Sequence, residues 1–362
     1  MRALALALLL GCTPEPGPSG GDSSAPPPDE DSLAALGLLS WDGQAFTYAE
    51  GVVPYTLGTP LFSDYAVKER AVALPPGEAA SWAGDGVLDF PVGTRLVKSF
   101  LFPADLRAPD QDLRLVETRV LTREDDGWSA WPYLWNEEQT EARRAPAGDV
   151  VDVSFLGLDG QPVDFSYLVP QRNQCVDCHE HSVGGARENT PIGPKPRNLN
   201  HGGQLQAWID AGLVTGVPPL DEVGAATDAA TLQGLDPATQ PDEVVFAAAR
   251  DYLDVNCAHC HHPDAEEGRS SQLFLSWDTT DAFHLGVCKK PGSAGRGTGG
   301  LIYDIVPGVP ERSILWYRLQ TPEIGEMMPD IGRALVDERN VPWVAEWIAR
   351  QERPEGQCSQ EP

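Results

Sequence analysis

Between about residues 38 and 170, short runs rich in β-branched and aromatic side chains recur: Val52–Leu57, Val67–Leu74, Thr94–Phe102, Leu113–Thr122, Trp128–Trp135, Val150–Leu156 and Val163–Val169. Turn-forming clusters separate them, among them Pro75-Pro76-Gly77, Gly84-Asp85-Gly86, Asp125-Asp126-Gly127 and Asp159-Gly160. Regular strand spacing with no helical pattern between predicts an antiparallel β-sandwich-like or barrel-like domain over 38–170. Trp128, Trp131 and Trp135 read as core and edge packing rather than a ligand platform.

The period changes after residue 240. Pro241 suits a first helical position, with Asp242 and Glu243 in the first turn. Val244, Val245, Ala248, Tyr252 and Val255 then recur at helical spacing. Pro310–Gln320 predicts a second helix. Asn340–Gln351 predicts a third, with Trp343, Val344, Trp347 and Ile348 on one face. A breaker-rich loop holds Met327-Met328-Pro329-Asp330. Between the two patterned regions, residues 171–239 are rich in Gly, Pro and Asn. A short helix is expected near Gly203–Ala211 and a linker over 213–240.

The ends carry different signals. Met1-Arg2, the apolar run Ala3–Leu10 and Gly11-Cys12 describe an export signal over 1–12, too short to span a bilayer. Leu9-Leu10-Gly11-Cys12 resembles the bacterial lipobox, which implies lipid on Cys12, a membrane anchor, and a periplasmic or extracellular location. Residues 13–37 begin with twenty positions lacking a large apolar side chain and read as a disordered tether. Residues 353–362 form a tail. The balance of 54 acidic against 26 basic residues, a formal charge of −28, argues against nucleic acid as a partner.

The cysteines and histidines supply the chemistry. Residues 33–174 contain neither, so a copper, zinc or haem site built from that region alone is not expected. Beyond it stand Cys175-Val176-Asp177-Cys178-His179 and Cys257-Ala258-His259-Cys260-His261. Cys-x-x-Cys-His is the attachment signature of c-type haem. With 7 Cys and 7 His in 362 residues, chance supplies roughly 0.003 copies of such a pattern. Two copies predict two covalent haem c groups, with Cys175, Cys178, Cys257 and Cys260 as attachment points and His179 and His261 as iron ligands. The competing chemistries are a structural zinc site, for which His259 or His262 could supply further ligands, and a redox disulfide.

Residues 240–352 resemble the class I cytochrome c domain, in which a first helix ends in this motif, a methionine precedes proline, and an aromatic C-terminal helix follows. The resemblance implies an all-α domain and Met328 as the second ligand of the His261 iron. The whole chain also resembles a family of exported bacterial di-haem c-type cytochromes with a β-rich N-terminal region. That likeness is carried by Pro60-Leu61-Phe62-Ser63-Asp64-Tyr65, Val116-Glu117-Thr118-Arg119, Asn198-Leu199-Asn200 and Val306-Pro307-Gly308. The expected fold is therefore α+β and multidomain: a β-rich domain over 38–170, a first haem-binding segment and linker over 171–239, and a cytochrome c domain over 240–352.

No methionine lies near the first motif. His181 is too close in sequence to cross the ring, whereas His201 has the reach. His201 is one expectation for the second ligand of the His179 iron; an open iron or a ligand from elsewhere in the fold are the others. Cys288 and Cys358 remain after the haem and lipid assignments and are expected to form a disulfide, or else to stay free. His262 and His284 read as surface residues. The function expected is electron transfer outside the cytoplasm with a redox partner protein. The alternative is a di-haem peroxidase or oxidase using an open first haem.

Overall fold

The computed structural model of the chain describes residues 30–183, 186–352 and 358. The export signal with Cys12, the tether up to residue 29 and, Cys358 apart, the tail lie outside the described residues.

A hairpin of β1 (Leu39–Trp41) and β2 (Phe46–Tyr48) leads into the principal sheet. The sheet's strands are β3 (Val52–Pro54), β4 (Val67–Ala73), β6 (Arg95–Pro103), β7 (Leu113–Glu124), β8 (Gly127–Trp135) and β9 (Ala142–Arg144). They are antiparallel, in the order β3-β4-β6-β7-β8-β9, while the short β5 (Ala80–Ser81) lies outside. Asp125-Asp126 turns β7 into β8, with Glu124 opposite Gly127, whose positive φ of 134° suits glycine.

Both faces of this sheet are covered. One buries Val97, Val120 and Tyr133 under Leu33 and Leu38. The other is shared along its length. At one end, Val72 and Leu96 pack with Leu199, Leu205 and Trp208. At the other, Phe100, Phe102 and Val116 pack under Val153, Phe155 and Tyr167 of the hairpin β10 (Asp149–Leu156) and β11 (Pro162–Val169). The N-terminal region is thus β-rich, but its second layer is a single hairpin.

Residues 171–240 do more than connect. They hold α1 (Val176–His179), β12 (Glu180–Val183), β13 (Ala186–Asn189), α2 (Pro196–Leu199), α3 (Gln204–Asp210), β14 (Val214–Thr215) and α4 (Leu220–Val223). Val214 and Thr215 pair in parallel with Ala80 and Ser81. Leu213, Val217, Leu220 and Val223 pack on the sheet core. The stretch expected as a linker over 213–240 therefore contributes a wall; its scattered apolar residues have no period because the segment is neither a long helix nor a long strand.

The C-terminal part requires a correction to the fold class. An all-α class I cytochrome c domain is not what the structure shows over 240–352: helix makes up only 24% of the described residues, in eight α-helices and six short 3-10 helices. The four α-helices in this part are α5 (Asp242–Asn256), α6 (Glu266–Ser271), α7 (Ile314–Gln320) and α8 (Val341–Ala349). The reason lies in the Gly- and Pro-rich loops between α6 and α7, which cannot propagate a helix. Their backbone is satisfied otherwise. Buried Arg250 donates to the carbonyls of Ser276, Trp277 and Thr279, and isolated bridges join Val287 to Ile305 and Tyr303 to Ser313. Helices α5 and α8 do pack, with Val245, Ala249, Leu253 and Cys257 against Val341, Val344, Trp347 and Ile348. Each fully buried large side chain there contributes about 1.5–3 kcal/mol.

This part also leans on the sheet region. Asp64, 2% exposed, accepts hydrogen bonds from the Ala334 and Leu335 amides at 2.7 Å each. The Tyr65 hydroxyl donates to the Val336 carbonyl, and the Phe62 amide donates to Asn256 Oδ1 at 2.7 Å. Asn198 closes a double hydrogen bond on the backbone of Thr59, at 2.8 Å in each direction. Cys288 and Cys358 are joined by a disulfide, with Cα atoms 4.9 Å apart. No helix among the described residues is long and apolar enough to cross a membrane.

Candidate functional site: two Cys-x-x-Cys-His segments at one junction

The second motif begins where α5 ends. The Cys257 carbonyl accepts from the amides of Cys260 and His261, at 3.1 and 2.8 Å, so the chain curls into a further turn. Cys257 belongs to the α5–α8 core, and burial pushes its thiol up to about 12.

The first motif is placed differently. It leaves β11 through a 3-10 turn, Arg172–Cys175, and passes into the four-residue α1. The Arg172 guanidinium lies 4.1 Å from the Trp131 ring centroid, which clamps the turn to β8. The chain then folds back as the β12–β13 hairpin. At its end the Thr190 amide donates to the His179 carbonyl at 2.6 Å, and His179 Nδ1 lies 2.7 Å from the Thr190 carbonyl. A carbonyl can only accept, so Nδ1 carries the proton and Nε2 is left as a free donor atom.

Several contacts bring the motifs together. The Ser182 amide donates to the Asp264 carbonyl at 2.8 Å, His181 Nε2 donates to the His259 carbonyl at 2.8 Å, and the Cys260 thiol donates to the Asp177 carbonyl at 3.3 Å. Arg187 pairs with both Glu180 and Glu266 at 3.0 Å. As a result Cys178 Sγ, Cys260 Sγ and a ring nitrogen of His259 lie within 4.8 Å of one another. The neighbouring Cys260 thiol, with a smaller effect of His259, favours the thiolate at Cys178, and the same proximity pushes the Cys260 thiol up.

Two neighbouring cavities open at this junction, of about 200 and 290 Å³. The first lies between the sheet face, the first motif and the methionine loop, and is lined by Cys175, Cys178, His179, His259 and Pro329. The second is lined by His181, His259, His262 and Trp277. His259, Val255, Ile192 and Lys195 border both. Burial pulls His179 and His261 down to about 4, so both imidazoles are neutral near pH 7, the form that ligates metal. Nδ1 of His259 and of His261 is buried without a well-formed hydrogen bond, although the Leu273 backbone lies near enough to His261 to act slightly against the effect of burial.

The other sequence-derived residues are distributed less simply. His201 sits in the turn before α3 with Nε2 3.2 Å from Thr56 Oγ1, and it lines neither cavity. Met328 is half-buried; its amide donates to the Arg318 carbonyl and its carbonyl accepts from Arg333 Nε. Pro329, Ile331 and Gly332 just beyond it line the first cavity. His262 stacks on His181 with ring centroids 5.6 Å apart, and His284 stacks on Phe274 at 4.5 Å. The sequence offered His259 only as a possible ligand of a competing zinc site, and it gave no sign of the Thr190 carbonyl or of the sheet residues Arg70 and Lys98 that line the first cavity. None has a motif; each is brought to the site by pairing register or by a hairpin.

No family model, no curated protein and no solved structure matches this chain. The reading of the site rests on its own chemistry. The residues at the first motif fit a covalently held haem, with paired thiols beside a neutral imidazole and a cavity with apolar walls, whereas Cys257, Cys260 and His261 line neither of the two cavities.

Proposed function

We propose that this protein is a di-haem c-type cytochrome of the exported bacterial kind. In this reading it is held at a membrane by lipid on Cys12 and exchanges electrons with a redox partner protein outside the cytoplasm. One observation carries the reading: the two Cys-x-x-Cys-His segments converge until Cys178 and Cys260 lie within 4.8 Å. Thioethers at those two sulfur atoms would anchor both cofactors at one point, the arrangement an electron relay needs. Haem, when bound, supplies one-electron iron chemistry whose potential the axial ligands and burial set.

The chain's own contribution is attachment and orientation. Cys175 and Cys178 would hold the first group, with His179 as a ligand to its iron; the Thr190 carbonyl fixes the tautomer and direction of the His179 ring. Cys257 and Cys260 would hold the second, with His261 and Met328 as the residues proposed to ligate its iron. Trp131 and the sheet residues Arg70, Lys98 and Arg119 are among those that line the first cavity.

The test is maturation in a periplasm that attaches haem c. A pyridine haemochrome assay should count two haems per chain, and circular dichroism in the Soret band should show the bisignate signal of two closely spaced chromophores. A chain that carries no covalent haem, and instead one zinc ion bound by Cys178, His259 and Cys260, would overturn the proposal. One observation favours a second reading. His201 is engaged with Thr56 rather than lining the cavity of His179, which supports an open first iron and hence peroxidase-type chemistry. Peroxide turnover by the loaded protein tests it; six-coordinate spectra at both irons with no turnover would remove it.

A further inference from the structure

The sheet face beneath the first motif carries an unusual arrangement of charge. Arg70, Lys98 and Arg119 stand directly opposite one another across β4, β6 and β7. All three line the first cavity beside Cys175 and Cys178. Like charges in directly opposed positions destabilise a sheet, and this chain has a formal charge of −28, so basic side chains are scarce. On one side of the row lie Val72, Leu96 and Leu121 in register.

The three cations are not equally satisfied. Arg119 makes a two-point contact with fully buried Glu117, at 2.6 and 2.9 Å, and Glu117 also accepts from the Tyr167 hydroxyl. Arg70, 7% exposed, donates through Nη1 to the Lys68 carbonyl at 3.2 Å and keeps Nη2 buried with no partner. Lys98 Nζ lies 4.9 Å from the Phe100 ring centroid and makes no ion pair among the described residues. Burial and the neighbouring cations hold its ammonium well below the usual range. Unpaired buried cations are strongly unfavourable, unless the balancing charge arrives with a ligand.

We propose that Arg70 and Lys98, backed by Arg119, form a seat for ligand carboxylates in this cavity, and that in the mature protein those carboxylates are the two propionates of the haem held at Cys175 and Cys178. The second clause rests on the proposed function. Two unpaired cations match two carboxylates. The Glu117–Arg119 pair fixes the third position of the row, so the seat is charged where the ligand lies and neutral behind it.

The experiment uses the mature full-length chain with Lys98→Met, and Lys98→Arg as the charge-retaining variant. Lys98→Gln replaces the Met variant if that one does not fold. Haem is counted per chain first. The expected result is two haems in every variant. One of the two reduction equilibria should shift at least tenfold toward the ferric form in Lys98→Met, 59 mV per tenfold for one electron, with recovery in Lys98→Arg and no binding of added succinate. Saturable succinate binding by the parent, lost in Lys98→Met, assigns the seat to a free carboxylate and overturns the propionate clause alone. Two haems with neither a potential nor a succinate response to Lys98 overturns the seat itself. A parent without covalent haem overturns the proposed function and the propionate clause, and leaves the seat to be judged by succinate binding.

Discussion

The same five-residue pattern, Cys-x-x-Cys-His, is supported here in two unlike ways. At the second site it terminates a 15-residue helix, and Cys257 is part of a core that includes Leu253, Trp343 and Trp347. At the first site it occupies a four-residue helix with no buried residue, held by a guanidinium on Trp131 and by a backbone carbonyl on His179. One scaffold is apolar burial; the other is a set of polar contacts over a charged sheet face. The motif therefore brings the same side chains together in both places and leaves their support to the surrounding fold.

This contrast gives five expectations, in decreasing size. In the mature protein, Cys175→Ala/Cys178→Ala should retain one haem per chain and a cooperative unfolding transition. Cys257→Ala/Cys260→Ala should lose its haem and also unfold at markedly lower temperature, because Cys257 is part of the core. Equal thermal stability of the two variants would break the comparison. Trp343→Ala, at 2% exposure, should cost about 3–5 kcal/mol in urea unfolding. Asp64→Ala removes the acceptor of two backbone amides in the methionine loop and should cost about 1.5–3 kcal/mol, with faster amide exchange at Ala334 and Leu335.

The fourth expectation concerns pH. Burial, with Arg70 and Arg119 nearby, lowers the Lys68 ammonium from 10.5 to about 7 despite Asp337 and Asp64. Between those values the unfolded chain binds more protons than the folded one, so this group's contribution to stability rises with pH across that window. In the haem-free chain Lys68→Met should therefore be more stable by about 1–2 kcal/mol at pH 7. The advantage should shrink toward pH 10, and denaturation curves at both pH values would show it. A constant difference would mean that packing, not charge, sets the effect. Last, Val176→Ala, within the first motif at 40% exposure, should change stability by less than about 0.5 kcal/mol.

Much of the N-terminal region was legible because strands leave a local signature. The runs at Val67–Leu74, Trp128–Trp135, Val150–Leu156 and Val163–Val169 correspond to β4, β8, β10 and β11. The helix over Pro241–Val255 was legible for the same reason and is α5. The open loops of the C-terminal part were not, and the all-α domain expected there was wrong, since three amphipathic segments around Gly- and Pro-rich loops look alike whether those loops fold into helix or are held by Arg250. The segments Pro60–Tyr65 and Asn198–Asn200 stood out in the sequence without a role. In the structure Asp64, Tyr65 and Asn198 tie the sheet region to the loops around the site.

By itself the sequence determined that Cys175, Cys178, His179, Cys257, Cys260 and His261 stand in two copies of one pattern, because residue type at fixed local spacing is a property of the chain alone. Their meeting was decided only by the tertiary structure. Cys178 and Cys260 converge through contacts such as His181 to His259 and Arg187 to Glu266, between residues nearly eighty positions apart. The row of Arg70, Lys98 and Arg119 likewise exists only once three strands have taken their register. Long-range pairing is set by the summed burial of whole faces, and no short stretch of sequence carries that sum.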